Sequence, residues 1–137
     1  MQNVTENINS FRIKYNDVAY ATFRILIGVL FMFHGAQKLF GAFTTQPTQP
    51  LFSLLGLAGI IELLGGLLIV VGLFTSVAAL FSAISMIVAY FLAHFALNNP
   101  IPIVNRGELA LVYFAAFLYI TFEGNGKYSL STALFKK

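Results

Sequence analysis

The chain has 137 residues, of which 58% are hydrophobic and 9% are charged, and its net charge is +3. A soluble domain of this length needs far more polar surface, so the composition excludes a soluble globular protein and indicates one membrane domain, residues 1–137, in the cell membrane. The chain has no cysteine, which excludes thiol and disulfide chemistry. Most of the positive charge lies near the two ends, where it suits anionic lipid headgroups rather than nucleic acid.

The N-terminal part of the chain divides into a polar and an apolar stretch. Residues 1–17 are polar and lack the basic, apolar and cleavage regions of a signal peptide, so we predict a cytoplasmic tail. In residues 20–41, about 22 residues of α-helix measure roughly 33 Å, enough to cross a hydrocarbon core of about 30 Å. The first membrane span is therefore predicted over residues 20–40.

Three more apolar segments follow the first span. The second span is predicted over residues 51–73, the third over 77–97 and the fourth, which is short, over 107–122. Two loops that contain proline, residues 41–50 and 98–105, separate the first span from the second and the third from the fourth. The sequence thus predicts an all-α fold, a four-helix bundle that crosses the membrane four times.

Basic residues predict the orientation of this bundle. Four spans put both ends of the chain on one side of the membrane, and five basic residues are expected there: Arg12, Lys14, Lys127, Lys136 and Lys137. The opposite loops contain Arg106 only, with Lys38 at the end of a helix. The positive-inside rule therefore predicts that both termini are cytoplasmic.

Ionisable side chains within the spans are the candidate functional residues, because each needs a partner or a polar cavity inside a membrane. The span directions predict six of them in the outer half of the bundle: His34, Lys38, Glu62, His94, Arg106 and Glu108. Glu62 lies deepest and is expected to be protonated or paired with a neighbouring cation. Arg24 and Glu123 are predicted near the inner surface, where we expect Arg24 to form an ion pair with Glu123 or to contact the carbonyls near it.

Helical phase predicts that these residues converge on the bundle interior. Residues spaced by three and four positions share one face of the first span: Arg24, Gly28, Phe31, Gly35 and Lys38. On the second span, Glu62 shares a face with Gly59 and Gly66. Since small residues let membrane helices approach closely, the glycines and the acid should face the neighbouring helices.

Five short motifs occur in order along the chain. They are Arg24 with His34-Gly35-x-x-Lys38-Leu39, Glu62 with Gly65-Gly66 and Gly72, His94, Glu108, and Gly124-x-Gly126-x-x-Ser129-Leu130. Together they resemble the DoxX family of small membrane proteins with four spans, although that family's last motif usually continues with Asp where this chain has Ser131. A related archaeal family, DoxD, belongs to a thiosulfate:quinone oxidoreductase. The resemblance therefore implies a membrane subunit of an oxidoreductase system, connected with quinone or a small sulfur compound.

Three functions remain open from the residues themselves. The outer polar residues can bind a quinone headgroup, with a histidine donating to its carbonyl and Glu62 or Glu108 exchanging protons. The same pocket can instead hold or move a small solute, such as an anion near Lys38 and Arg106. In the third alternative the charges only pack the bundle of a structural anchor.

The chain shows no haem, flavin or iron–sulfur motif and no metal-ligand spacing. A redox function therefore predicts a soluble partner that carries the redox centre. The lipid bilayer is the expected environment, and a homo-oligomer is the other assembly considered.

Overall fold

The computed structural model describes residues 2–96 and 99–135, and this part of the chain is helical without β-strands. Its helices, in chain order, are α1 (Gln2–Phe40), α2 (Leu54–Val71), α3 (Thr75–His94), α4 (Glu108–Glu123) and α5 (Leu130–Phe135). The predicted all-α class is therefore confirmed. Some positions of these predictions lie outside the described residues: the first residue of the N-terminal tail, the last residue of the third span, the first residue of the loop that follows it, and the basic residues Lys136 and Lys137.

Three of these helices, α1, α2 and α3, are long and apolar enough to cross a membrane. Large apolar side chains such as Leu26, Phe81 and Phe91 are exposed along them, as expected of surfaces that face lipid. The structure therefore supports a membrane protein. Helix α4 has 16 residues, fewer than the roughly 20 that span a hydrocarbon core without tilt or thinning.

Helix α1 is longer than the sequence predicted. The predicted span began at residue 20, whereas the helix runs through the polar tail from Gln2 to Phe40. Neither glycine nor proline occurs between residues 2 and 20, so nothing interrupts the backbone hydrogen bonds there. A helix of 39 residues measures about 58 Å, roughly twice the thickness of the hydrocarbon core.

Helices α1 and α2 pack against each other through glycines. A Cβ atom at Gly35 would lie 2.8 Å from the carbonyl oxygen of Gly59, and one at Gly66 would lie 2.7 Å from the carbonyl oxygen of Gly28. The backbones are thus in direct contact at two levels, which confirms that the predicted glycine faces meet. This close approach brings the side chains of Lys38 and Glu62 within reach of each other.

The core draws on four helices. Its central residues are fully or almost fully buried: Phe31 on α1, Ile69 on α2, Ala79 and Ala83 on α3, and Tyr113, Phe117 and Ile120 on α4. The ring centroids of Phe31 and Phe117 are 4.5 Å apart, which ties α4 to α1. The rings of Phe31, Tyr113 and Phe117 form an aromatic layer. On one side of this layer is a more polar region, at the end of the molecule that contains Phe40 and Asn105.

Candidate functional site

A cavity of about 250 Å³ lies between α1, α2, α3 and α4. Its walls are formed by Phe31, His34, Lys38, Glu62, Met86, Ala89, His94, Arg106, Leu109, Ala110 and Tyr113. Five of the six residues predicted in the outer cluster are among them. The cavity is large enough for several water molecules or one small organic group.

Glu62 and Lys38 form an ion pair in the wall of this cavity. The Lys38 ammonium donates to Oε1 of Glu62, whose side chain is 2% exposed, while the lysine is 28% exposed. The other carboxylate oxygen, Oε2, is buried and has no hydrogen-bond partner among the described residues. A buried acceptor without a partner costs about 1–3 kcal/mol, so this oxygen is available to a ligand or a water molecule.

Local backbone geometry helps to aim Glu62 at the cavity. It lies in a π-helical turn, Ile61–Gly65, and a second such turn, Tyr90–His94, ends at His94. A π turn holds an extra residue, which changes the direction of the side chains around it, and such turns are common at functional sites. Sequence periodicity gave no sign of either turn.

His34 lies beside Tyr113, a cavity residue that sequence reasoning missed. The two rings meet edge to face with their centroids 5.8 Å apart, and Tyr113 is 5% exposed. The signal that could have found Tyr113 is weak, because a tyrosine in an apolar span is usually a core residue. Its phenol adds a neutral hydrogen-bond donor to the cavity wall.

Asn105, which lies just before α4, contacts His94 at the edge of the cavity. The Nδ1 atom of His94 is 3.2 Å from the carbonyl oxygen of Asn105. Since a carbonyl only accepts, Nδ1 carries the hydrogen in this contact. The hydroxyl of Tyr90 donates to the carbonyl of Pro100 at 3.2 Å, and the Asn105 side chain accepts from the Gly107 amide at 2.8 Å.

Arg106 and Glu108 are adjacent in sequence but differ in position. Arg106 has a left-handed backbone, with φ of 62°, and lines the cavity although much of its side chain is exposed. Glu108 is exposed at the first turn of α4 and is not one of the residues that line the cavity. The structure thus separates Glu108 from the predicted cluster. Its carboxylate lies at the N-terminus of α4, where the helix dipole stabilises a negative charge.

Arg24 lies at the opposite end of the packed helices and is 1% exposed. It donates to the carbonyls of Ile69 and Val70 in the last turn of α2, at 3.0 Å for Val70, and to that of Tyr128 at 2.8 Å. The ion pairs of the described residues are Lys38–Glu62 and Asp17–Lys127. Arg24 therefore contacts backbone carbonyls, which was one of its two predicted kinds of partner, rather than forming the ion pair with Glu123. The last carbonyls of a helix lack partners within it, so those of α2 are free to accept.

The cavity therefore combines donors with one carboxylate acceptor. Lys38, Arg106 and Tyr113 can donate to a ligand oxygen, and the free oxygen of Glu62 can accept a hydrogen bond or a proton. The described residues contain no group of three or more His, Asp or Glu side chains arranged to share a metal ion.

Comparison with known proteins places the chain in a family. The sequence profile described as DoxX matches residues 19–95, which include His34, Lys38, Glu62 and His94. An uncharacterized protein of Haemophilus influenzae is 38% identical over 133 residues, which cover 90% of this chain and 96% of that protein. No solved structure matches. The profile covers more than half of the chain, and the chain therefore belongs to the DoxX family.

Proposed function

We propose that this protein is a membrane subunit of an oxidoreductase system and that its cavity binds a quinone headgroup or a small sulfur compound. The observation that supports the proposal most directly is the buried, unpartnered Oε2 of Glu62 beside a cavity with several hydrogen-bond donors. An ion pair that only stabilises the fold does not require a cavity beside its carboxylate. Polar groups that converge on an otherwise apolar pocket are typical of ligand sites.

The residues suggest how a quinone headgroup is held. Tyr113 and His34 or Lys38 donate to one carbonyl oxygen, and the Phe31 ring forms the apolar floor. When a quinone is reduced to a quinol, two electrons enter and each carbonyl oxygen gains one proton. Glu62 is the group placed to pass protons to the ligand, and a soluble partner with a flavin or iron–sulfur centre supplies the electrons.

The proposed site lies in the outer half of a four-helix bundle in the cell membrane. In this arrangement α4 is the short fourth crossing, and both termini are cytoplasmic. The ion pair between Asp17 and Lys127, at 3.4 Å, and the hydrogen bond from Tyr20 to the Gly124 carbonyl support it, because they join the start of the first crossing to the end of the fourth. The basic residues near both ends favour the cytoplasmic side for them.

A second candidate function is the binding or transport of a small anion. The charges that line the cavity favour it, since Lys38 and Arg106 contribute two positive charges against the single carboxylate of Glu62. An oxyanion bound between these cations would leave the lysine–glutamate pair intact. In this alternative the protein needs no electron-transfer partner.

Ligand binding tests the proposal. Purified protein in nanodiscs is titrated with a short-chain quinone and, separately, with thiosulfate, and the lipid extract is analysed for quinone. We expect the parent to bind one of the two and Glu108→Gln to match the parent. Glu62→Gln should bind quinone about tenfold more weakly, whereas it should bind thiosulfate at least as tightly as the parent, because the variant removes a negative charge beside the anion. Thiosulfate binding without quinone binding assigns the sulfur-compound alternative. Absence of binding to either compound contradicts the proposal.

A further inference from the structure

The N-terminal part of α1 carries an apolar stripe that is exposed on the surface. Its five residues are between 42% and 65% exposed: Val4, Ile8, Phe11, Tyr15 and Val18. They follow one another at steps of four, three, four and three residues. This stripe is independent of the cavity at the other end of the molecule.

The stripe points away from the other helices. Each residue of an α-helix turns by about 100°, so residues 4 to 18 of the stripe lie on the side of α1 roughly opposite Arg24, Gly28 and Phe31, which pack inward. The same side continues into the membrane segment through the exposed residues Leu26 and Phe33. A partner can therefore approach along the whole length of the helix without meeting α2, α3 or α4.

The helix geometry argues against burial of the stripe in the bilayer surface. Helix α1 is unbroken from Gln2 to Phe40, and about 28 Å of it extends beyond a hydrocarbon core of about 30 Å. A segment in line with a membrane span passes through the headgroups and enters water; it does not lie flat on them. The stripe therefore needs a protein partner to cover it.

We propose that this partner is the same stripe of a second copy, joined as a short parallel two-stranded coiled coil. Alternate steps of four and three residues average 3.5, the period of coiled-coil seams. Two copies inserted with the same orientation in one membrane present their stripes in parallel and in register. The resulting contact is symmetric, so each stripe residue meets its own counterpart.

The charges that flank the stripe do not oppose this pairing, although they form no ion pair across it. In a parallel coiled coil, a residue on one edge of the seam faces the residue five positions further along the partner helix. Asn7 thus faces Arg12 of the second copy, and Lys14 faces Ala19 of the second copy, so no like charges oppose each other. Asp17 lies off the seam and pairs with Lys127 of its own chain.

Disulfide cross-linking tests this inference, because the chain has no cysteine of its own. Ile8→Cys places a thiol on the stripe, and Ile13→Cys is the matched control, since Ile13 is 76% exposed and lies on the opposite side of the helix. In oxidised membranes we expect Ile8→Cys to form a dimer at least about fivefold faster than Ile13→Cys. Equal rates at the two positions, or no dimer at either, would overturn the proposal.

A second measurement separates a seam from chance collisions and from lipid contact. Native mass spectrometry should find the parent as a dimer and Phe11→Gln as a monomer, while both bind short-chain quinone and thiosulfate with the same affinities. Two results together would overturn the coiled coil and assign the stripe to the membrane. The parent would remain monomeric, and the thiol of Ile8→Cys would be protected from water-soluble maleimide by lipid.

Discussion

Two buried charges at opposite ends of the packed helices have different surroundings. Arg24 donates to three backbone carbonyls, from Ile69, Val70 and Tyr128, while its Nε is buried without a hydrogen-bond partner among the described residues and lies away from the cavity. Glu62 has one oxygen on Lys38 and the other without a partner, beside a cavity. The comparison teaches that burial of a charge does not by itself indicate function. Each of the two charges has one buried polar atom without a partner, so what distinguishes Glu62 is that it lines a cavity, whereas Arg24 does not and is bonded to carbonyls of two segments that it holds together.

The largest expected effect is on stability at the Arg24 end. Arg24→Met leaves three carbonyls without donors, of which that of Ile69 is buried and those of Val70 and Tyr128 are partly buried, so the free energy of unfolding should fall by about 3 kcal/mol. Thermal unfolding in detergent measures this loss. The control is Arg12→Met on the exposed part of the same helix, which should leave stability within about 0.5 kcal/mol. Similar losses in both variants would remove the structural role of Arg24.

A smaller loss of stability is expected at the other end. Lys38→Met leaves the Glu62 carboxylate buried without its cation, and because the lysine is partly exposed we expect a loss of about 2–3 kcal/mol, below the value for a fully buried pair. Combining Lys38→Met with Glu62→Gln removes the charge and should restore most of that stability. A double variant as unstable as Lys38→Met would show that the two side chains are not coupled.

The smallest expected effect on stability, with a clear effect on binding, is at Tyr113. Tyr113→Phe removes only a hydroxyl from the cavity wall and should weaken ligand binding by about fivefold to tenfold, the value of one hydrogen bond, while the melting temperature changes little. Tyr119→Phe is the matched control on α4, because Tyr119 is 50% exposed and lies outside the cavity lining. Equal affinities of the two variants would exclude Tyr113 from the ligand site.

Residue spacing was sufficient for much of the arrangement at the Glu62 end. The steps of three and four residues from Arg24 to Lys38, together with the glycines of α2, correctly predicted which faces meet and that Glu62 has Lys38 among its neighbours. Such predictions succeed because helical geometry fixes which side chains share a face, and because close helix contacts in membranes need small residues.

Other features depend on interactions that spacing does not reveal. The partners of Arg24 are backbone carbonyls, which carry no sequence signature, so the sequence left Glu123 open as the alternative. The two π turns and the inward position of Tyr113 arise from packing among helices. The sequence does not reveal the extension of α1 to Gln2, because the polar residues before residue 20 are compatible with either a loop or a helix.

The central claim is that Glu62 is open to a ligand while Arg24 is enclosed. Infrared difference spectroscopy on addition of the bound compound, whether short-chain quinone or thiosulfate, tests it most directly, because it records a change in the carboxyl group itself. We expect a carboxyl signal that appears on binding, disappears in Glu62→Gln and persists in Glu108→Gln. Binding with no signal that depends on Glu62 would contradict the claim and place the ligand elsewhere.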